Sequence, residues 1–92
     1  IGATRAIRRS GRRVPANISV VGCDDIAAAS WVVPSLTTVA QQKAEMGRMA
    51  VERLAAALDD PDHAADAETI RIPMVLRVRE STGPAPEEEP PA

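Results

Sequence analysis

The sequence contains no phenylalanine, no tyrosine and a single tryptophan, Trp31. A core built without the large aromatics must be filled by Ile, Val, Leu, Met and alanine, and a 92-residue chain leaves much of its surface in water, so that core is thin. One small domain is the upper limit. Cysteine is as scarce: Cys23 stands alone, which excludes an internal disulfide and fits a reducing compartment. No apolar run approaches the roughly 20 residues of a membrane span, and no signal peptide opens the chain. The net charge of −2 argues neither for nor against a polyanionic partner. An initiator Met is lacking and the chain opens inside a helix-like pattern, so an upstream portion is expected.

What is there centres on Ile18-Ser19-Val20-Val21-Gly22-Cys23-Asp24-Asp25. β-Branched and apolar residues run into a glycine and then two adjacent carboxylates, the pattern of a buried strand whose carboxyl end opens into a charged loop. Apolar residues on both faces point to a parallel sheet covered by helices. In open α/β sheets ligands bind at that end of the strands, which makes Asp24 and Asp25 candidates. The alternative is that one of them caps a short helix over the alanine-rich Ile26–Ser30.

Before this strand, Ile1–Ser10 reads as a helix with Ala3, Ala6 and Ile7 on one face and Gly11 as its C-terminal cap. Arg5, Arg8, Arg9, Arg12 and Arg13 suit the helix C-terminus and solvent; phosphate contact is the alternative, unsupported by aromatic stacking residues. Pro15 disfavours helix at Val14, so the chain is expected to run extended into the strand. After the acids, Trp31-Val32-Val33-Pro34-Ser35 is an apolar, turn-bearing segment that suits a contact surface, unless Trp31 packs beneath the loop.

Leu36–Val39 reads as a second strand. The best helix follows, ending before Asp59-Asp60-Pro61, with Met46, Ala50, Leu54 and Leu58 forming one stripe. Met46 and Met49 read as core fillers, and Glu45, Arg48 and Glu52 as exposed ion pairs. Gly47 costs about 1 kcal/mol relative to alanine, tolerable where a neighbouring backbone comes close. His63 with Asp60, Asp62 and Asp66 is a weak metal pattern, lacking a second histidine or a cysteine at ligand spacing, so no metal and no cofactor is expected. Glu68–Arg79 alternates, with Arg71, Arg77 and Arg79 on the outer parity, and Pro73 divides it into two short strands. From Gly83 the chain is a Pro/Glu tail expected to be disordered, residues 83–92.

Val14-Pro15, Ile18 to Asp25, Pro34-Ser35-Leu36-Thr37-Thr38-Val39, Gln41, Glu45-Met46-Gly47, Ile72-Pro73 and Arg79-Glu80-Ser81-Thr82 together resemble the C-terminal part of the effector-binding domain of LacI/GalR-family transcriptional regulators. The resemblance covers residues 1–82. It implies an α/β, periplasmic-binding-protein-like (type I) fold of two subdomains with parallel sheet and flanking helices, pieces of both being present, joined by crossovers near 38–41 and 73–76. A sugar-like effector would sit in the cleft, bound by Asp24, whose two oxygens can accept from neighbouring hydroxyls, with Asp25 beside it. Thr38, Gln41 and Pro73 would belong to the crossovers, and Trp31, Val32, Val33 and Pro34 to a homodimer interface. Cys23 stands where the family has an aromatic, and Gln42 where it often has proline. Operator DNA would be read by an N-terminal helix-turn-helix absent from these residues, in a cytoplasmic protein that does not enter the membrane.

The resemblance implies a repressor's effector-sensing and dimerisation part. A sugar-binding transport protein of the same fold is the alternative. An enzyme using Asp24 and Asp25 as acid and base is not expected, because no Ser, Lys or His completes a constellation beside them.

Overall fold

In the computed structural model, which describes residues 1–63 and 69–87, the chain divides into two compact units, Ile1–Ala40 with Val75–Ala92, and Gln41–Met74. The first holds helix α1 (Gly2–Arg9), strand β1 (Val21–Cys23), the short helix α2 (Ala28–Trp31), β2 (Thr37–Ala40) and β3 (Val75–Arg77). The second holds α3 (Lys43–Asp59) and a 3-10 turn, Pro61–His63.

Helix α1 ends as its sequence predicts. Gly11 takes φ +85°, and the amides of Gly11 and Arg12 return to the carbonyls of Arg8 and Ile7 at 3.0 and 3.3 Å. That closing pair serves the Arg8 carbonyl and adds a donor to the Ile7 carbonyl, which also accepts the Ser10 amide at 3.1 Å and the Ser10 hydroxyl at 2.6 Å, and it needs a residue without Cβ strain at the left-handed position. The next segment does not run extended. Asn17 folds it into a turn over 14–17, its side chain accepting the Arg13 amide at 2.9 Å while its own amide donates to the Arg13 carbonyl at 3.0 Å. The Val14–Pro15 and Val33–Pro34 peptides are cis.

The three-stranded sheet has the order β1-β2-β3. β1 and β2 are parallel, with Val21, Gly22 and Cys23 opposite Thr37, Thr38 and Val39; β3 joins β2 antiparallel, Val75 opposite Ala40. The sheet is therefore mixed rather than wholly parallel. β1 is shorter than its apolar run and is not covered on both faces: it is an edge strand, and Val21 and Cys23 are exposed. Burial is concentrated in central β2, where Thr37, Thr38 and Ala40 are buried, and extends to Ala29 and Ser81. Two threonines and a serine thus sit in the interior, and every buried side-chain polar atom among the described residues has a hydrogen-bond partner. Hydroxyls are tolerated inside only on that condition.

Among the described residues of the alternating 68–79 stretch there is one strand, not two: Val75–Arg77 pairs, and 69–74 is irregular, in keeping with a proline that has no amide to donate. Gln42 Nε2 donates to the Pro73 carbonyl at 2.7 Å, tying the two ends of the second unit together. In α3, Glu45 and Glu52 pair with Arg48 as their spacing predicts. The hydrogen bond from Arg48 lowers the Glu45 carboxyl below its ordinary range. The stripe is another matter. Met46, Leu54 and Leu58 are exposed and Met49 only half-buried, because among the described residues of its unit no second long helix or sheet lies against that face. Nor does any neighbour among the described residues approach Gly47. Among the described residues no helix is long and apolar enough to cross a membrane.

Candidate functional site

Asp24 and Asp25 leave the carboxyl end of β1 with φ values of 84° and 48°, successive non-glycine residues in the left-handed region. Such a backbone costs an L residue on the order of 1 kcal/mol or more, and aspartate tolerates it better than most. It persists only where surroundings hold it, and three bonds do so here. The Asp24 amide donates to the Val39 carbonyl at 2.9 Å, the Asp25 amide to Thr38 Oγ1 at 3.2 Å, and Asp25 Oδ1 meets Arg79 Nη2 at 2.8 Å. The Asp25–Arg79 pair is sheltered, with side chains 25% and 21% exposed, whereas Asp24 is exposed. Cys23 Sγ lies 3.8 Å from Asp24 Oδ1, close enough for a weak S–H donation.

Neither acid caps α2. Its N-cap is Ala27 and no side chain bonds its first amides, because the left-handed turn uses both aspartates before the helix begins. The structure brings Thr38 to Asp25 but leaves Gln41 and Pro73 in or beside the connections between the units, both exposed. In the sequence Arg79 reads as an outward-facing residue of an alternating stretch and as the first residue of a family motif, with no sign of its partner. It lies instead beyond the end of β3, half-buried, and the polar run Arg79-Glu80-Ser81-Thr82 one residue after the strand was the available signal.

Trp31 does not pack beneath its loop: it is 76% exposed, and Val33 beside it 74%. Val32, Val33, Pro34 and Leu36 face Ile1 and the arginines of α1 across a groove of about 490 Å³ that is separate from Asp24. Arg8 Nη1 donates to the Val33 carbonyl there at 3.0 Å. Below this segment Glu80 Oε1 accepts both the Ser35 amide, at 3.1 Å, and its hydroxyl, at 2.9 Å, and these bonds lower the Glu80 carboxyl below its ordinary range. Of the weak metal pattern, Asp66 and the His63 side chain lie outside the described residues; among those described, no group of three His, Cys, Asp or Glu is placed to hold a metal ion.

Comparison with known proteins joins this geometry to a family. The model of the periplasmic binding protein-like domain matches residues 1–82. The ribose operon repressor of Haemophilus influenzae is 38% identical over 77 residues, 84% of this chain and 23% of that protein. The chain belongs to the LacI/GalR family. The transcriptional repressor PurR of Proteus mirabilis is 40% identical over 86 residues, 94% of this chain and 25% of PurR. The chain thus spans about a quarter of the length of these curated LacI/GalR relatives. Among solved structures, a LacI-family regulator from Enterococcus faecalis with bound ribose superposes with a TM-score of 0.76 at 31% identity, over 95% of this chain and 31% of that one. The lac repressor dimer bound to operator and an anti-inducer gives 0.75 at 41% identity, over 88% of this chain and 27% of its own. The periplasmic-binding-protein-like fold read from the LacI/GalR motifs is the fold observed.

Proposed function

We propose that this chain forms the effector-sensing and dimerisation part of a cytoplasmic LacI/GalR-type repressor, and that it is not an enzyme. Asp24 accepts hydrogen bonds from the hydroxyls of a sugar-like effector in the cleft between two subdomains, with Asp25 supporting it. The crossovers run through Thr38–Gln41 and Pro73 onward, and residues 1–82 contribute to both subdomains. Trp31, Val32, Val33 and Pro34 meet a second copy, and operator DNA is bound by a helix-turn-helix elsewhere in the protein. No cofactor takes part.

The observation that carries this reading is the left-handed Asp24–Asp25 turn at the carboxyl end of β1, braced by Thr38, Val39 and Arg79. It supports Asp24 as a pre-set acceptor, because a fixed carboxylate loses less freedom on binding than a mobile one. The relatives support the rest: repressors by name, and one regulator of the family with ribose bound. The test is Asp24→Asn in the full-length protein, titrated with D-ribose and with operator DNA. Ribose affinity falls by about tenfold, the loss of one charge-assisted hydrogen bond, while operator affinity without ligand is unchanged. Equal loss of both would assign Asp24 to folding instead.

A further inference from the structure

We propose that Arg79 is the positioning residue of the Asp24 loop, holding it in its left-handed form through Asp25 and linking it to the strand that returns from the second unit. The proposal rests on the effector reading of Asp24 for its consequence, and on Arg79's own bonds for its substance.

Those bonds divide the residue into an anchor and an arm. The anchor is at the start of β2 and the residue before it: the Arg79 amide donates to Thr37 Oγ1 at 2.8 Å, the Thr37 hydroxyl lies 3.3 Å from the Arg79 carbonyl, and Arg79 Nη1 donates to the Leu36 carbonyl at 2.8 Å. The arm is Nη2, which reaches Asp25 Oδ1 at 2.8 Å. A guanidinium can serve a carbonyl and a carboxylate at once with its planar fork, which a lysine ammonium on a flexible stem does with far less geometric definition. Asp25 is thereby gripped twice, by its amide on Thr38 and by its carboxylate on Arg79. The preceding residue is Asp24, so fixing Asp25 fixes the direction in which Asp24 leaves the strand.

Position in the chain adds the second half. β3 begins at Val75, where the chain re-enters the first unit, and Arg79 follows the end of that strand. Thr38 stands opposite Arg77 in the register of β2 and β3. A displacement of the returning strand is therefore delivered to Asp25 through an ion pair and not only through the central strand. A purely structural arginine would stabilise the unit without setting the state of the loop.

The loop has its own reporter, because the exposed Cys23 immediately precedes it. The experiment uses the full-length protein, with Arg79→Met, Asp25→Asn and the double variant, and reads iodoacetamide alkylation of Cys23 on its own peptide by mass spectrometry, beside D-ribose titration and melting. Each single variant is expected to change the Cys23 alkylation rate by at least about threefold and to weaken ribose by about tenfold, with Asp25→Asn melting within a few degrees of the parent. The double variant matches the worse single variant to within about twofold, because both act through one bond. Should Arg79→Met fail to fold, Asp25→Asn carries the test, since it leaves the anchor of Arg79 untouched. Cys23 rates within about twofold of the parent in the folded variants, or effects that multiply in the double variant, overturn the proposal. If Asp24→Asn leaves ribose binding as it was, the effector reading falls, and the Cys23 rates still decide the role of Arg79.

Discussion

Ser81 stitches β2 to the segment entering β1: its hydroxyl accepts the Thr37 amide at 2.8 Å and donates to the Val20 carbonyl at 2.6 Å. The residue is wholly buried. Its backbone adds a third and a fourth tie, from the Val20 amide to the Ser81 carbonyl and from the Ser81 amide to the Ser35 carbonyl, both at 2.9 Å. Ser81→Ala removes the hydroxyl and leaves a buried donor and acceptor without it, which costs about 1–3 kcal/mol. Urea unfolding of the full-length protein, read for its midpoint at unchanged slope, measures this; a shift below about 0.5 kcal/mol would mean that water replaces the hydroxyl.

Gly22 faces a side chain, not backbone. A Cβ placed there would lie 2.8 Å from Leu36 Cδ2 and 3.4 Å from Leu36 Cγ. The end of a leucine can move, so Gly22→Ala is expected to cost only about 1 kcal/mol, while Gly22→Val, with more to fit, costs about 2–3 kcal/mol. Thermal unfolding of the two variants separates a yielding side chain from a rigid wall, which would penalise both alike.

The Glu80 carboxylate and Ser35 predict a pH dependence of definite sign. The folded-state carboxyl sits below its ordinary range because the Ser35 amide and then its hydroxyl donate to it. Its contribution is therefore fully present above the ordinary glutamate range and is lost as pH falls through the depressed folded value. Glu80→Gln should lower the denaturation midpoint at pH 7, with the gap to the parent closing on acidification below about pH 4. A gap that stays constant with pH would show that shape rather than charge holds Ser35.

Trp31 and Val33 predict self-association. Both are largely exposed beside the arginine-lined groove, and aromatic anchors of this kind dominate interface energies. In the full-length protein Trp31→Ser should weaken dimerisation by about 2 kcal/mol, about 30-fold in Kd, as read by sedimentation across a concentration series. An unchanged Kd would remove this segment from the interface.

Gly11→Ala tests the end of α1. With φ at +85° and open space around it, the substitution meets no neighbour and pays only for the left-handed backbone, about 1 kcal/mol. A neutral result in thermal unfolding would mean that the helix end is frayed in solution.

Local chemistry makes part of this molecule legible in its sequence. The Gly11 stop and the i,i+3 and i,i+4 partners of Arg48 depend on near neighbours in the chain, and each is where its residues put it; the second strand lies one residue later than Leu36–Val39, and of the apolar run only Val21 enters β1. The motifs from Val14-Pro15 to Arg79–Thr82 were sufficient for the family. Tertiary structure alone decided the rest. That Thr37, Thr38 and Ser81 form the interior, that Asp24 and Asp25 turn left-handed instead of capping α2, and that Arg79 reaches Asp25 all rest on partners 13 to 61 residues apart. A hydroxyl or a guanidinium carries no sign in sequence of which distant carbonyl or carboxylate will complete it. Burial and hydrogen bonding are settled together, only when the sheet closes.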